Sequence, residues 1–253
     1  MSKKNNNAPS PSSGLILYGR HAVLAALANP ARKKGKILCT GENADELRKH
    51  CLEHDVSPGL LNIVDRKEID RILPREAVHQ GVAFYTAPLE GATLEDICIM
   101  ADSRPNCHVL ILDQVTDPQN IGAIIRSCVA FDTLALIMQD KNAPEETGAM
   151  AKAAAGTIEH LPLCRVTNLS RAVRQLKEAG FWSIGMDGYA QTTIDKIDKN
   201  GKIAIIMGSE GKGMRRLVEE ACDSTVRLPI SERVESLNVS TAAAIALYEV
   251  NKK

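Results

Sequence analysis

Three stretches carry polar residues suited to chemistry at points where the chain turns. The first is Leu112-Asp-Gln-Val-Thr-Asp-Pro-Gln-Asn-Ile-Gly-Ala-Ile-Ile-Arg126. Ile121, Ile124, Ile125, Cys128 and Val129 recur at helical spacing and make one apolar stripe. Arg126 falls off that stripe, free for a ligand or for solvent, which is where most Arg side chains end up. Asn120 stands near the expected helix start, where it serves either a ligand or merely the cap. The second stretch, Ile206-Met-Gly-Ser-Glu-Gly-Lys-Gly-Met214, places the carboxylate of Glu210 among glycines after an apolar run. Glycines there let a backbone come close to a ligand. The third runs from Leu228-Pro-Ile230 through Glu235-Ser-Leu-Asn-Val-Ser240 to Tyr248. Pro229 has no N–H for a ladder and is expected to end a strand. Ser236 is expected to cap a helix, whose Ala242, Ala243, Ala244 and Ala246 keep it slim enough for close approach.

The second stretch does not fit the common phosphate loops. A P-loop needs Gly four residues before its Gly-Lys pair and Ser or Thr after the Lys; Ile206 and Gly213 occupy those positions. The dinucleotide pattern Gly-x-Gly-x-x-Gly fails at Arg216. ATPase and dinucleotide readings therefore lose their best support.

The elements that must position these residues alternate. In 253 residues the hydrophobic content is 44% with only 3% aromatic, so the core is aliphatic, as in buried parallel sheets. Apolar runs at 109–112, 134–138, 163–166, 181–186 and 202–207 read as strands, with helices between them, including 121–131, 145–155, 169–179 and 214–222. A strand is expected at 226–228 before the final helix. Upstream, helices at 19–27, 43–54 and 66–73 alternate with strands at 37–39, 60–64 and 81–85. This gives an α/β protein with a small amino-terminal unit (15–88), a linker (89–104) holding one helix, and a larger parallel-sheet unit (105–253). Residues 1–14 read as a flexible tail without signal or transit character.

The formal net charge is zero, so any polyanion must be met by local patches. Candidates are Arg20, His21, the loop Arg32 to Lys36, Arg171, Arg174, Lys212, Arg215 and Arg216. The seven cysteines form no Cys-x-x-Cys pair, and no His falls at zinc-finger spacing. Free thiols in a reducing, cytoplasmic compartment and no metal are expected. No apolar run approaches the ~20 residues of a membrane span.

Together the three stretches resemble the SpoU (TrmH-type) branch of the SPOUT methyltransferases, which 2′-O-methylate ribose in structured RNA. Asn120, Gly122 and Arg126 match its first motif, Gly208-Ser-Glu-Gly211 its second, and Leu228-Pro-Ile230 with Ser236-Leu-Asn-Val-Ser240 its third. Gly19-Arg-His-Ala-Val23 and His79-Gln-Gly-Val82 resemble its small ribosomal-protein-like substrate-binding domain. Three departures stand out. Leu-Pro-Ile replaces Ile-Pro-Met, Glu232 replaces a loop glycine, and Phe131-Asp132 replaces Phe-Gly.

The resemblance implies a parallel-sheet α/β domain with a deep trefoil knot, working as a homodimer. It implies S-adenosylmethionine as cofactor, held by backbone around Gly208, Leu228, Ile230 and Leu237. It implies catalytic roles for Asn120, Arg126, Glu210, Ser236 and Asn238, with Arg20 and His21 on the RNA. The layout points to a guanosine of 23S-type rRNA. A tRNA ribose methyltransferase and a non-catalytic RNA-binding assembly factor are the alternatives.

Overall fold

The two most apolar runs, Cys107–Leu112 and Lys202–Met207, lie side by side in parallel. The arrangement buries segments that have no polar face to offer water. The structure is a computed structural model that describes residues 14–252. The tail expected at 1–14 lies, apart from Gly14, outside the described residues.

The amino-terminal unit comprises β1 (Leu15–Tyr18), α1 (Arg20–Ala28), β2 (Ile37–Cys39), α2 (Gly41–Glu53), β3 (Leu61–Ile63), α3 (Arg66–Ile72) and β4 (Val82–Thr86). Its four strands order as β1-β4-β2-β3. β2 and β3 are parallel, and β4 runs antiparallel to both its neighbours. The second unit follows with α4 (Leu94–Asp102), β5 (Cys107–Leu112), α5 (Pro118–Ala130), β6 (Ala135–Gln139), α6 (Gly148–Ala154) and β7 (Leu163–Val166). It closes with α7 (Leu169–Glu178), β8 (Phe181–Met186), β9 (Lys202–Met207), α8 (Arg216–Glu219), β10 (Ser224–Val226) and α9 (Val239–Asn251). Its six strands are all parallel, in the order β10-β8-β9-β5-β6-β7.

Strand side chains alternate between the two faces of the sheet. Leu110, Leu112, Ile203 and Ile205 pack with α5, α6 and α9; Val109, Ile111, Ala204 and Ile206 pack with α4, α7 and α8. After β5 the chain leaves toward β6, whereas after β9 it leaves past β8 toward β10. The carboxyl ends of these two neighbours form the sheet's topological switch point, where such folds bind ligands.

Several expectations need correction. The helix expected within 89–104 does more than connect: Ile97 and Ala101 of α4 are fully buried in the second unit's core. β1 has no counterpart in the sequence reading and pairs along β4. The edge strand β10 stops at Val226, so Leu228 and Pro229 lie in a loop. α9 starts at Val239, and its cap is Asn238, not Ser236. Both residues are good caps; the buried Val239 decides between them, because it must enter the core as the first helical residue. α5 likewise begins two residues before Asn120, with Asp117 as cap and Pro118 in the first turn. Asn120 is thereby released from capping. The helix expected at 214–222 shortens to Arg216–Glu219. Finally, Ala243 and Ala246 are buried within the chain's own core. The outward face of α9 carries Ile245 and Tyr248 instead.

Candidate active site

At the switch point, Asp113 directly follows β5, its side chain completely buried. Its Oδ2 accepts the backbone N–H of Arg215 at 2.8 Å and its Oδ1 accepts Nε–H of the same residue at 2.8 Å. This anchors the far end of the loop that leaves β9. The loop closes on itself: Ser209 N–H reaches the Gly213 carbonyl at 3.2 Å, and Gly213 N–H returns to Ser209 at 3.0 Å. A Cβ on Gly208 would stand 2.2 Å from the Gly213 carbonyl carbon. The glycine is therefore required by the loop's own closure, not by a ligand's approach. Gly211 and Gly213 adopt φ of +78° and +65°, which side chains resist. Glu210 is presented at the tip of this tight turn.

The three motifs converge there. The Asn238 amide donates to Asn120 Oδ1 at 3.0 Å and to Glu210 Oε1 at 2.8 Å. The same Oε1 accepts the backbone N–H of Val239 at 2.9 Å. Asn238 Oδ1 in turn accepts Ser240 N–H at 2.9 Å. A carboxylate at the start of α9 also meets the positive end of the helix dipole. Glu210 Oε2 has no hydrogen-bond partner among the described residues.

Beside this cluster opens a cleft of about 730 Å³, lined by Gly208, Leu228, Ile230, Ser236 and Leu237 among others. Its size suits a small organic ligand, and its lining mixes backbone groups with aliphatic side chains. All four expected cofactor positions face it. Sequence reasoning missed Asp187 and Tyr189, which line the same cleft just beyond β8. The readable signal was their place at the carboxyl end of a parallel strand. A larger hollow of about 950 Å³ lies at the opposite end of the sheet, by Cys107 and Gly201. None of the three motifs reaches it.

Arg126 stays outside the cluster. It is exposed, and its guanidinium has no hydrogen bond or ion pair among the described residues. It lies six positions beyond Asn120, which puts the two roughly 120° apart around α5. Gly122, between them, serves packing: a Cβ there would meet the Met150 carbonyl of α6 at 2.4 Å.

Arg20 and His21 are exposed on α1, and Arg20 is ion-paired with Glu46. The candidate RNA contacts divide sharply. Arg32 is buried and paired with Glu146 and Glu159, so it cannot touch RNA. Lys34 donates to the Ala26 carbonyl at 2.8 Å, and Arg215 is held by Asp113. Arg171, Arg174 and Lys212 are exposed, and so is Arg216, which pairs with Glu220 at 2.7 Å.

A glycine-turned carboxylate and a helix-capping amide thus meet at the switch point of a parallel sheet. The chain belongs to the SpoU rRNA methylase family, whose description matches residues 108–248, and residues 16–92 match the RNA 2′-O ribose methyltransferase substrate-binding domain. It is an RNA methyltransferase. It is 38% identical, over 92% of its length and 93% of the relative's, to the 23S rRNA (guanosine-2′-O-)-methyltransferase RlmB of Pseudomonas syringae. It is 37% identical to an uncharacterized tRNA/rRNA methyltransferase of Synechocystis, covering 93% of this chain and 62% of that longer protein. The SpoU methyltransferase AviRb of Streptomyces viridochromogenes, solved in complex with AdoMet, has the same fold. Its TM-score is 0.77 at 21% identity, over 94% of this chain and 89% of that one. Among the described residues, no helix is long and apolar enough to cross a membrane.

Proposed function

We propose that this protein methylates the ribose 2′-hydroxyl of a guanosine in 23S-type rRNA, using S-adenosylmethionine, as a cytoplasmic homodimer. The observation that carries the reading is the Asn238 amide, which joins Asn120 and Glu210 at the mouth of the cleft. The RlmB relative, matched over nearly its whole length, supports rRNA over tRNA. We assign RNA capture to the unit at 15–88, catalysis to 105–253, and the connection between them to 89–104. A deep trefoil knot is part of the proposal. It is supported by the return of residues 238–240 to α5 and to the loop after β9, although β10 sits at the sheet's far edge.

Gly208, Leu228, Ile230 and Leu237 would hold the cofactor by backbone atoms and aliphatic contact, which the cleft's size and lining fit. When bound, S-adenosylmethionine supplies a methyl group already activated by its sulfonium. The chain's own residues then have two tasks: to align the sugar hydroxyl and to help its proton leave. Alignment is worth ~7–11 kcal/mol, and a positioned proton acceptor ~10²–10⁴-fold. Asn120, Glu210, Ser236 and Asn238 position the nucleotide beside the cleft. Arg126 orients the hydroxyl and an adjacent phosphate through its fork of donors. The proton passes to a phosphate oxygen of the RNA. Arg126 lies off the local cluster, so we infer that it serves the cleft of a second copy. Methyl transfer of this kind requires no metal.

The test is radiolabelled methyl transfer to purified rRNA and tRNA, followed by mapping of 2′-O-methyl positions. A single labelled guanosine in 23S-type rRNA is expected. Label confined to tRNA would move the assignment to the alternative substrate, and label in neither would leave a non-catalytic RNA-binding factor.

A further inference from the structure

The carboxyl end of α2 carries His50, Glu53 and His54. Residues three and four apart on a helix share a face. Each of these three brings one ligand-capable atom within 4.8 Å of the other two. The imidazoles of His50 and His54 lie 4.4 Å apart between ring centres, tilted by 55°.

His50 is the fixed member. It is half-buried, and its Nε2 sits 2.8 Å from the Leu24 carbonyl oxygen on α1. A carbonyl only accepts, so Nε2 carries the hydrogen and Nδ1 keeps the lone pair. Metal-bound histidines are held in this way, with the non-ligating nitrogen donating to a carbonyl or carboxylate. Glu53 and His54 are exposed and free to adjust. Glu53 has only a loose 3.8 Å ion pair with exposed Lys49, which is worth little.

We propose that His50, Glu53 and His54 form a binding site for a divalent transition-metal ion of the zinc or copper type. Two imidazole nitrogens and one carboxylate oxygen suit those ions. Magnesium and calcium prefer all-oxygen sets. Water completes the coordination. The expectation of no metal rested on zinc-finger and cysteine-pair spacings, and a His pair four apart at the carboxyl end of one helix passes both filters. Competing soft ligands are weak, because burial raises the thiols of Cys39, Cys51, Cys98, Cys107, Cys128, Cys164 and Cys222. A protonated thiol is a poor metal ligand.

The site is independent of the methyl-transfer reading and stands whether or not that reading does. The surface it would charge is the one that carries Arg20 and His21, since Glu46, one turn before His50, is in Coulombic reach of all three.

The experiment is calorimetric titration of the full chain with zinc chloride, paired with electron paramagnetic resonance of the Cu²⁺-loaded protein. One equivalent of Zn²⁺ is expected to bind, and the Cu²⁺ spectrum should show coupling to two imidazole nitrogens. His54→Ala, at an exposed position, should weaken Zn²⁺ at least about tenfold, the lower edge of what even an outer-shell loss costs, and reduce the coupling to one nitrogen. His50→Asn should weaken binding similarly. The proposal is overturned if the parent chain shows no stoichiometric binding. It is equally overturned if both variants bind like the parent.

Discussion

Two polar nodes each tie together parts of the chain that are distant in sequence. At the seam between the units, Arg32 holds Glu146 and Glu159, with relative side-chain exposures of 0%, 6% and 1%. At the mouth of the cleft, Asn238 holds Asn120 and Glu210 where solvent reaches. The seam is saturated. All five guanidinium N–H groups are used: three on the two carboxylates through Nε and Nη2, and two through Nη1 on Glu146 and the Ala87 carbonyl. Asn29 and the Leu89 N–H add donors to the same carboxylates. The cleft node keeps Glu210 Oε2 uncommitted and can exchange partners. A closed node fixes how the small unit sits on the large one, and an open node can take part in a reaction. Stability should therefore reside at the seam, and activity at the cleft.

Removing the centre of the seam gives the largest expected effect. Arg32→Ala leaves two buried carboxylates facing each other, and breaking such a pair costs about 3–5 kcal/mol. Urea unfolding measures it; a loss below about 1 kcal/mol would erase the distinction between the nodes. Next comes Arg126→Lys, which keeps the charge and discards the fork. Methylation should fall on the order of 100-fold, the cost of a slightly misplaced reactant, with the melting temperature unchanged. Near-normal turnover would remove Arg126 from the role given to it.

A mixing experiment sharpens the same point. Arg126→Ala and Asn238→Ala chains, each inactive alone, should regain methylation when co-refolded as mixed dimers. Silence in the mixture would place Arg126 and the cleft in one subunit.

Glu210→Ala should lower turnover on the order of tenfold and change stability by no more than about 1 kcal/mol, the usual size of an exposed hydrogen bond. The smallest effect is expected away from both nodes, at Asp223. Burial pushes its carboxyl up, but bonds from Lys177 and Ser183 pull it further down, leaving it below the ordinary carboxylate value. Its contribution is therefore present above about pH 3.9 and lost as pH falls through its lower folded value. Asp223→Asn should flatten the stability curve in that acidic window and nowhere else.

The sequence made much of this visible, for physical reasons that can be named. Leu163–Val166, Phe181–Met186 and Lys202–Met207 are strands with the bounds their apolar runs implied. The meeting of Asn120, Glu210 and Asn238 followed from their motifs, each near a strand's carboxyl end. Choices between equivalent local signals were not readable. Ser236 and Asn238 cap equally well, and only the burial of Val239 separates them. Arg32 looked like a surface cation because its partners lie 114 and 127 residues away. Gly208 looked like room for a ligand, whereas loop closure claims that space.

Asn238 has one further consequence. One end of its amide fastens the first turn of α9, and the other end grips the two residues at the cleft. A molecule seated there and pulling on either one loads the final helix like a lever. Deuterium uptake at Val239 and Ser240 would then report occupancy of the cleft.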